Sequence, residues 1–294
     1  MNLTIQSARQ YLVTLCCAAS IAMLGTGCAP QVRVVKGGGI DVGEQSSLTS
    51  LVPAAELEHA SHLQYDQMLE QAGKKKILVK GKDPRLLRLN RIAKRIIPFS
   101  ARINPRARAW KWEVNLFKSK QLNAFCMPGG KIAFYTGIID RLKLTDNEIA
   151  IIMGHEIAHA LREHARSRIA KSRLTEIGTS VGGAVLGALT GNAQAANMVQ
   201  TGAQIGGKLL TLRFSRNDES EADVVGLDLA ARAGYDPRAG VTLWRKMTAA
   251  SKGAPPTWLS THPAGKNRIA EIEKYLPAVM PLYHKAKTKQ RHRK

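Results

Sequence analysis

The sequence predicts a helix-rich α+β fold with a small sheet beside one histidine-bearing helix. Three observations predict it. Apolar residues recur at helical spacing through Leu57, Ala60, Leu63, Met68 and Leu69. Thr145 to Glu148 (TDNE) has the form of a capping box, just ahead of an apolar run that holds two histidines. Two strand-like runs, 110–118 and 131–136, flank the turn signal Pro128-Gly129-Gly130. Helices and strands that are grouped rather than alternating argue for α+β layering.

The elements follow in order. Residues 1–27 have the outline of a secretory signal: MNLTIQSARQ carries one arginine and no acid, and an apolar run leads to GTGC. Cys28 after Gly27 looks like a bacterial lipobox, with Gly25 where leucine usually stands. That likeness implies lipidation of Cys28, and Ala29 after it implies sorting to the outer membrane. Residues 28–52 read as a tether through Gly37, Gly38 and Gly39. A helix over 53–72 is followed by a basic helix over 84–97, ended by Pro98. Residues 178–207 are rich in glycine and alanine, with Asn192, Gln194, Asn197, Gln200 and Gln204 arguing against a membrane span. This stretch is a candidate lid or helical hairpin. Residues 281–294 read as a frayed basic tail.

The chemistry lies in HEIAH (155–159) and ESEAD (219–223). Histidines at i and i+4 project from one helix face and can hold one metal ion. Glu156 follows the first histidine and can reach a metal-activated water without being a ligand. A catalytic zinc takes three protein ligands and keeps one position open. Glu219 is the best candidate for the third ligand. The longer pattern HExxHxxGxxH does not fit, because Arg162 replaces its glycine and Ala165 its third histidine. His164 therefore reads as a solvated helix residue.

Four blocks, NAFCMPGGKIAFYTGII (123–139), DNEIAIIMGHEIAHALREHARSR (146–168), FSRNDESEADVVGLDLAARAGYDP (214–237) and STHPAGKNRI (260–269), resemble the HtpX and CAAX-prenyl-protease family of zinc metallopeptidases. The likeness covers roughly residues 80–280 and is strongest to the soluble periplasmic lipoprotein branch. It implies a zincin-like (gluzincin) metallopeptidase domain over 53–280. It also implies one zinc ion held by His155, His159 and Glu219 rather than Glu221, with Glu156 as general base. Asp223 would orient a ligand histidine, and Arg268 matches a family arginine. His262 would either stabilise the oxyanion or act as a displaceable extra ligand. Asn123 and Ala124 would mark the edge strand that receives substrate.

Composition bounds the rest. The formal charge is +22 over 294 residues, and a leader holding only Arg9 would lower it by one. Such a balance suits anionic lipid, lipopolysaccharide or acidic proteins. No nucleic-acid motif is present, so nucleic acid is not an expected partner. Of four cysteines, Cys16 and Cys17 would leave with the leader. Cys28 would be lipidated, or else free to pair with Cys126, which otherwise reads as buried and inert. The leading expectation is a zinc endopeptidase of the bacterial envelope, anchored to the outer membrane through Cys28 or soluble in the periplasm. Its substrates would be misfolded or misassembled envelope proteins, with outer-membrane lipid or assembly machinery as partners. The alternatives are a chaperone or assembly factor on a latent protease scaffold, and a basic binding module without catalysis.

Overall fold

Two capped helices crossing at a pair of glycines organise the molecule. The computed structural model describes residues 32–176, 209, 212–251, 256–263 and 267–292, all within one unit that begins at Val32. In chain order come β1 (Arg33–Val34) and β2 (Ile40–Asp41), then α1 (Ala54–Lys74) and α2 (Pro84–Ile96). Strands β3 (Glu113–Phe117), β4 (Ala124–Met127) and β5 (Lys131–Tyr135) follow. After α3 (Thr136–Arg141) and α4 (Asp146–Leu161), residues 164–176 form α5 as far as they are described. The last helices are α6 (Arg216–Arg232), α7 (Ala239–Ala250), the short α8 (Thr257–Thr261) and α9 (Arg268–Arg291).

The sequence sets three of the helix starts locally. Asp83 accepts a hydrogen bond from Arg85 N at 2.8 Å, and Pro84 occupies the first turn of α2. Leu89, Ile92, Ala93 and Ile96 then bury the face that i, i+3, i+4, i+7 spacing defines. Thr145 and Glu148 close a reciprocal capping box on α4, and Ser215 and Asp218 close another on α6. Every residue of α4 from Glu148 to Leu161 is buried, so this helix runs through the centre of the molecule.

The sheet has the order β3-β5-β4. β3 pairs parallel to β5, and β4 pairs antiparallel to it, with Ala124 opposite Phe134 and Met127 opposite Lys131. The Pro128–Gly130 turn thus joins β4 to β5, not the 110–118 run to the 131–136 run. Gly129 and Gly130 have φ of 83° and 84°, the left-handed pair that a tight hairpin needs. A Cβ on Gly130 would also lie 2.8 Å from the Trp112 ring. Among the described residues β4 is paired on one side only, which leaves it as the edge strand.

Two expected boundaries differ. The described part of the 28–52 segment is packed, not a free tether. Its glycine run turns the chain back, with φ of 92°, 101° and 106° at Gly37, Gly38 and Gly39. Gly39 N then donates to Ala278 O at 2.8 Å and Ile40 N to Asp228 Oδ2 at 3.1 Å. Ile40, Val42 and Val52 enter the hydrophobic cores. The 281–294 tail is the end of α9 as far as Arg291. Leu282 and Tyr283 pack against the core, so burial of apolar side chains outweighs the basic composition. The leader, Cys28 and residues 178–207 lie outside the described residues. Among the described residues, no helix is long and apolar enough to cross a membrane.

The crossing of α4 and α6 depends on Gly154 and Gly226. A Cβ on Gly226 would lie 2.7 Å from His155 N, and one on Gly154 would lie 2.7 Å from Gly226 O. Both neighbours are backbone and cannot swing aside. We expect Gly226→Ala to cost about 1–3 kcal/mol, the range for overpacking. Gly73→Ala on α1 meets nothing within 4 Å and serves as the control. It should be neutral or gain up to about 1 kcal/mol from helix propensity. Thermal unfolding of both variants checks the contrast.

Candidate metal centre and active site

The crossing helices bring four donor side chains to one point. His155 and His159, one turn apart on α4, place their Nε2 atoms 3.0 Å from each other. From α6, Glu219 Oε2 lies 3.6 Å from His155 Nε2, and Oε1 lies 3.5 Å from His159 Nε2. At the end of α8, His262 adds Nδ1, 3.2 Å from His155 Nε2 and 3.1 Å from Glu219 Oε1. All four residues are buried, and their donor atoms lie within 4.8 Å of one another. Ligands at about 2.0–2.1 Å around a tetrahedral zinc stand about 3.3 Å apart. Imidazole nitrogens and a carboxylate at this spacing fit one zinc ion. Glu221 is two residues from Glu219, so the helix turns it away from this point.

Electrostatics prepares these groups. Burial, with His155, His164, His262 and Arg268 nearby, holds His159 well below the ordinary imidazole value, in the neutral form that ligates. Burial alone would raise Glu219, but His262, His155 and Arg268 outweigh it and hold the carboxylate below its usual range. Burial would likewise lower His262, but Glu156 and Glu219 outweigh it and raise the ring's value.

Around the donors stands a hydrogen-bonded frame. His155 Nδ1 meets Asp223 Oδ1 at 2.9 Å. Arg268 donates to both oxygens of Asp223, at 2.7 and 2.5 Å, and to Glu219 Oε2 at 2.5 Å. Its guanidinium lies over the Trp244 ring, 3.9 Å from the centroid. A carboxylate on the far nitrogen of a ligand histidine fixes the ring's tautomer and orientation. The structure thus places Asp223 and Arg268 directly behind His155.

Glu156 is buried beside the donors, and its Oε1 accepts from Trp258 Nε1 at 2.6 Å and lies 3.6 Å from His262 Nε2. Trp258 stacks on His262 with ring centroids 4.8 Å apart. Its backbone N–H donates to Leu122 O at 3.0 Å, which ties α8 to the chain entering β4. Glu156, His159 and His262 line a cleft of about 430 Å³ that Asn123 and Ala124 also border. Phe125, Met127, Leu209, Leu212 and Phe214 give it apolar walls. The residues carried from the four blocks therefore meet in one place, with β4 as its rim. Cys126 also lines the cleft and is half-buried rather than buried. Loss of hydration around the sulfur, with Glu156 nearby, pushes its thiol well up, so it stays protonated.

His164 is a correction. It is not solvated but 4 % exposed, with Nδ1 2.9 Å from His159 Nδ1. The chain leaves α4 through Glu163 in the left-handed region, φ 55°, and this turn swings His164 behind His159. The sequence reading also passed over Trp258, Phe214, Arg162 and the structural use of Glu221. Trp258 stands only four residues before His262, and its position there was the one available signal. Phe214, stacked on His159 at 3.9 Å, opens the third block but carries no periodic cue.

Comparison with known proteins agrees with this geometry. Residues 85–276 match the model for peptidase family M48, and all four blocks fall within that span. The chain is 33 % identical over 219 residues to the mitochondrial metalloendopeptidase OMA1 of Schizosaccharomyces pombe, covering 72 % of this chain and 59 % of that protein. It is 38 % identical over 157 residues to the OMA1 protein of Arabidopsis thaliana, covering 53 % of this chain and 30 % of that one. To the metalloprotease LoiP of Escherichia coli it is 29 % identical over 166 residues, covering 55 % and 62 %. The chain spans about half the length of the curated relatives it matches. The donor set, the cleft and a family match over more than half of the chain agree: this chain belongs to peptidase family M48.

Proposed function

We propose that this protein is a zinc-dependent endopeptidase of the bacterial envelope that hydrolyses misfolded or misassembled proteins. The observation that carries the reading is the buried His155–His159–Glu219 donor set with Glu156 beside it, opening on a cleft rimmed by a strand that is unpaired on its outer side among the described residues. A zinc ion held there would supply Lewis acidity, making water acidic near neutral pH and drawing electron density from a carbonyl oxygen. Glu156 takes the proton of the attacking water and passes it to the leaving amine. Trp258 holds the Glu156 carboxylate by its Oε1, so the base is aimed before substrate arrives. An extended peptide segment adds to the outer edge of β4, where backbone hydrogen bonds give affinity with little sequence preference. The apolar walls accept the exposed hydrophobic side chains of unfolded chains. The leader-like residues 1–27, Cys28 and the basic balance support an envelope site near anionic lipid.

A second reading rests on His262. Its Nδ1 stands within the donor set, so it can serve as a fourth ligand that keeps the enzyme at rest. This supports an assembly factor whose cleavage is latent until His262 moves. Casein hydrolysis by the purified protein, with and without zinc removal, tests the function, and His262→Ala at equal zinc loading tests the latch. We expect chelation to abolish cleavage and zinc to restore it. A rise in basal activity with His262→Ala supports the latch. A fall of about 10²–10³-fold instead supports oxyanion stabilisation. Cleavage that survives complete zinc removal would overturn the proposal.

A further inference from the structure

His164, Glu221 and Arg162 are buried, charged or titratable, and unused by the chemistry above. We propose that they form a positioning relay for His159, the counterpart of Asp223 and Arg268 behind His155. The inference rests on the metal-centre reading. His159 points Nε2 into the donor set, so a ligating ring carries its proton on Nδ1. That Nδ1 lies 2.9 Å from His164 Nδ1. The proton can be shared there only if His164 Nδ1 is bare, which puts the His164 proton on Nε2. His164 Nε2 in turn faces Glu221 Oε2 at 3.6 Å.

Glu221 is itself fixed. Its Oε1 accepts from Arg162 Nε. Arg162 is held in place by backbone carbonyls of the N-terminal segment, donating to Gly43 O at 3.0 Å and Glu44 O at 2.9 Å. The chain is therefore His159, His164, Glu221, Arg162, and then the carbonyls of residues 43 and 44. His159 to His164, Glu221 to Arg162 and Arg162 to the carbonyls are each joined by a hydrogen bond, the His164 Nε2–Glu221 Oε2 step is a 3.6 Å approach, and every side chain is buried. A solvated or merely space-filling His164 would not need one buried ring nitrogen on His159 and the other turned toward a carboxylate. Phe214, stacked on the His159 ring, sets the ring plane, and the relay sets which nitrogen bears the proton.

The test measures zinc affinity of the full chain by competition with a chromophoric chelator, together with the visible spectrum of the Co²⁺-loaded protein. His164→Leu keeps bulk but accepts nothing. It should weaken zinc binding about 10–100-fold, the range for losing a partner of a ligand histidine, and alter the Co²⁺ spectrum. His164→Asn places Oδ1 where Nδ1 was, so it should recover most of the affinity and the wild-type spectrum. Glu221→Gln keeps shape but loses charge and should weaken binding less than His164→Leu does. Wild-type affinity in His164→Leu would overturn the relay, as would equal losses in the Leu and Asn variants with both folds cooperative. If His164→Leu does not fold, unchanged affinity and spectrum in Glu221→Gln overturn it, and a loss there supports it. A wild-type protein that binds no zinc would instead overturn the metal centre itself.

Discussion

Glu156→Gln is expected to remove peptide hydrolysis while leaving zinc in place. The side chain is not among the four converging donors, so zinc content should match wild type. The amide is nearly isosteric and its oxygen can still accept from Trp258 Nε1, so the 2.6 Å contact and the fold should persist. What disappears is a group that can carry a proton. General-base loss costs at least about 10²-fold in rate, and up to about 10⁴-fold. Casein hydrolysis and zinc content measured on the same preparation decide the matter. Undiminished cleavage by the variant would assign the base elsewhere in the cleft.

Glu219→Ala should have the second large effect, through zinc itself. Its carboxylate spans the site, with one oxygen toward His159 and His262 and the other toward His155 and Arg268. Removing it takes away one of the four converging donors and half of Arg268's ion pairing. Arg268 keeps both contacts to Asp223, so the buried guanidinium is not orphaned and the apo protein should still fold. Zinc affinity should fall by more than the about 10–100-fold expected for a partner of a ligand histidine. Glu221→Ala, by contrast, should retain zinc when the ion is in excess. Equal zinc retention in the two variants under chelator competition would show that Glu219 is not a ligand.

The helices around the site were legible because their signals are local. The capping boxes at Thr145 and Ser215, the Asp83-Pro84 start and the i, i+4 histidines are set by bonds within a turn of the chain. Capping and side-chain direction need no distant partner. The resemblance of four blocks preferred Glu219 to Glu221 and added Asp223, His262 and Arg268, residues that no spacing rule joins to His155. The edge position of β4 and the packed hairpin at Ile40 were less legible, because strand neighbours and burial depend on what the rest of the chain offers.

By itself the sequence determined the chemistry of this protein: which residue types are present, their helical spacing, and thus a two-histidine metal motif with an adjacent carboxylate. The tertiary structure alone decided how that chemistry is held. On an unbroken helix His164 would point about 140° away from His159. The left-handed turn at Glu163 and the glycine crossing at Gly154 and Gly226 put His164 behind His159 and Glu219 beside it. Trp258 reaches Glu156 only because α8 is tied to the chain entering β4, more than a hundred residues away in sequence. Such contacts follow from close packing between distant segments, and a periodicity read along one segment carries no information about its neighbours in space.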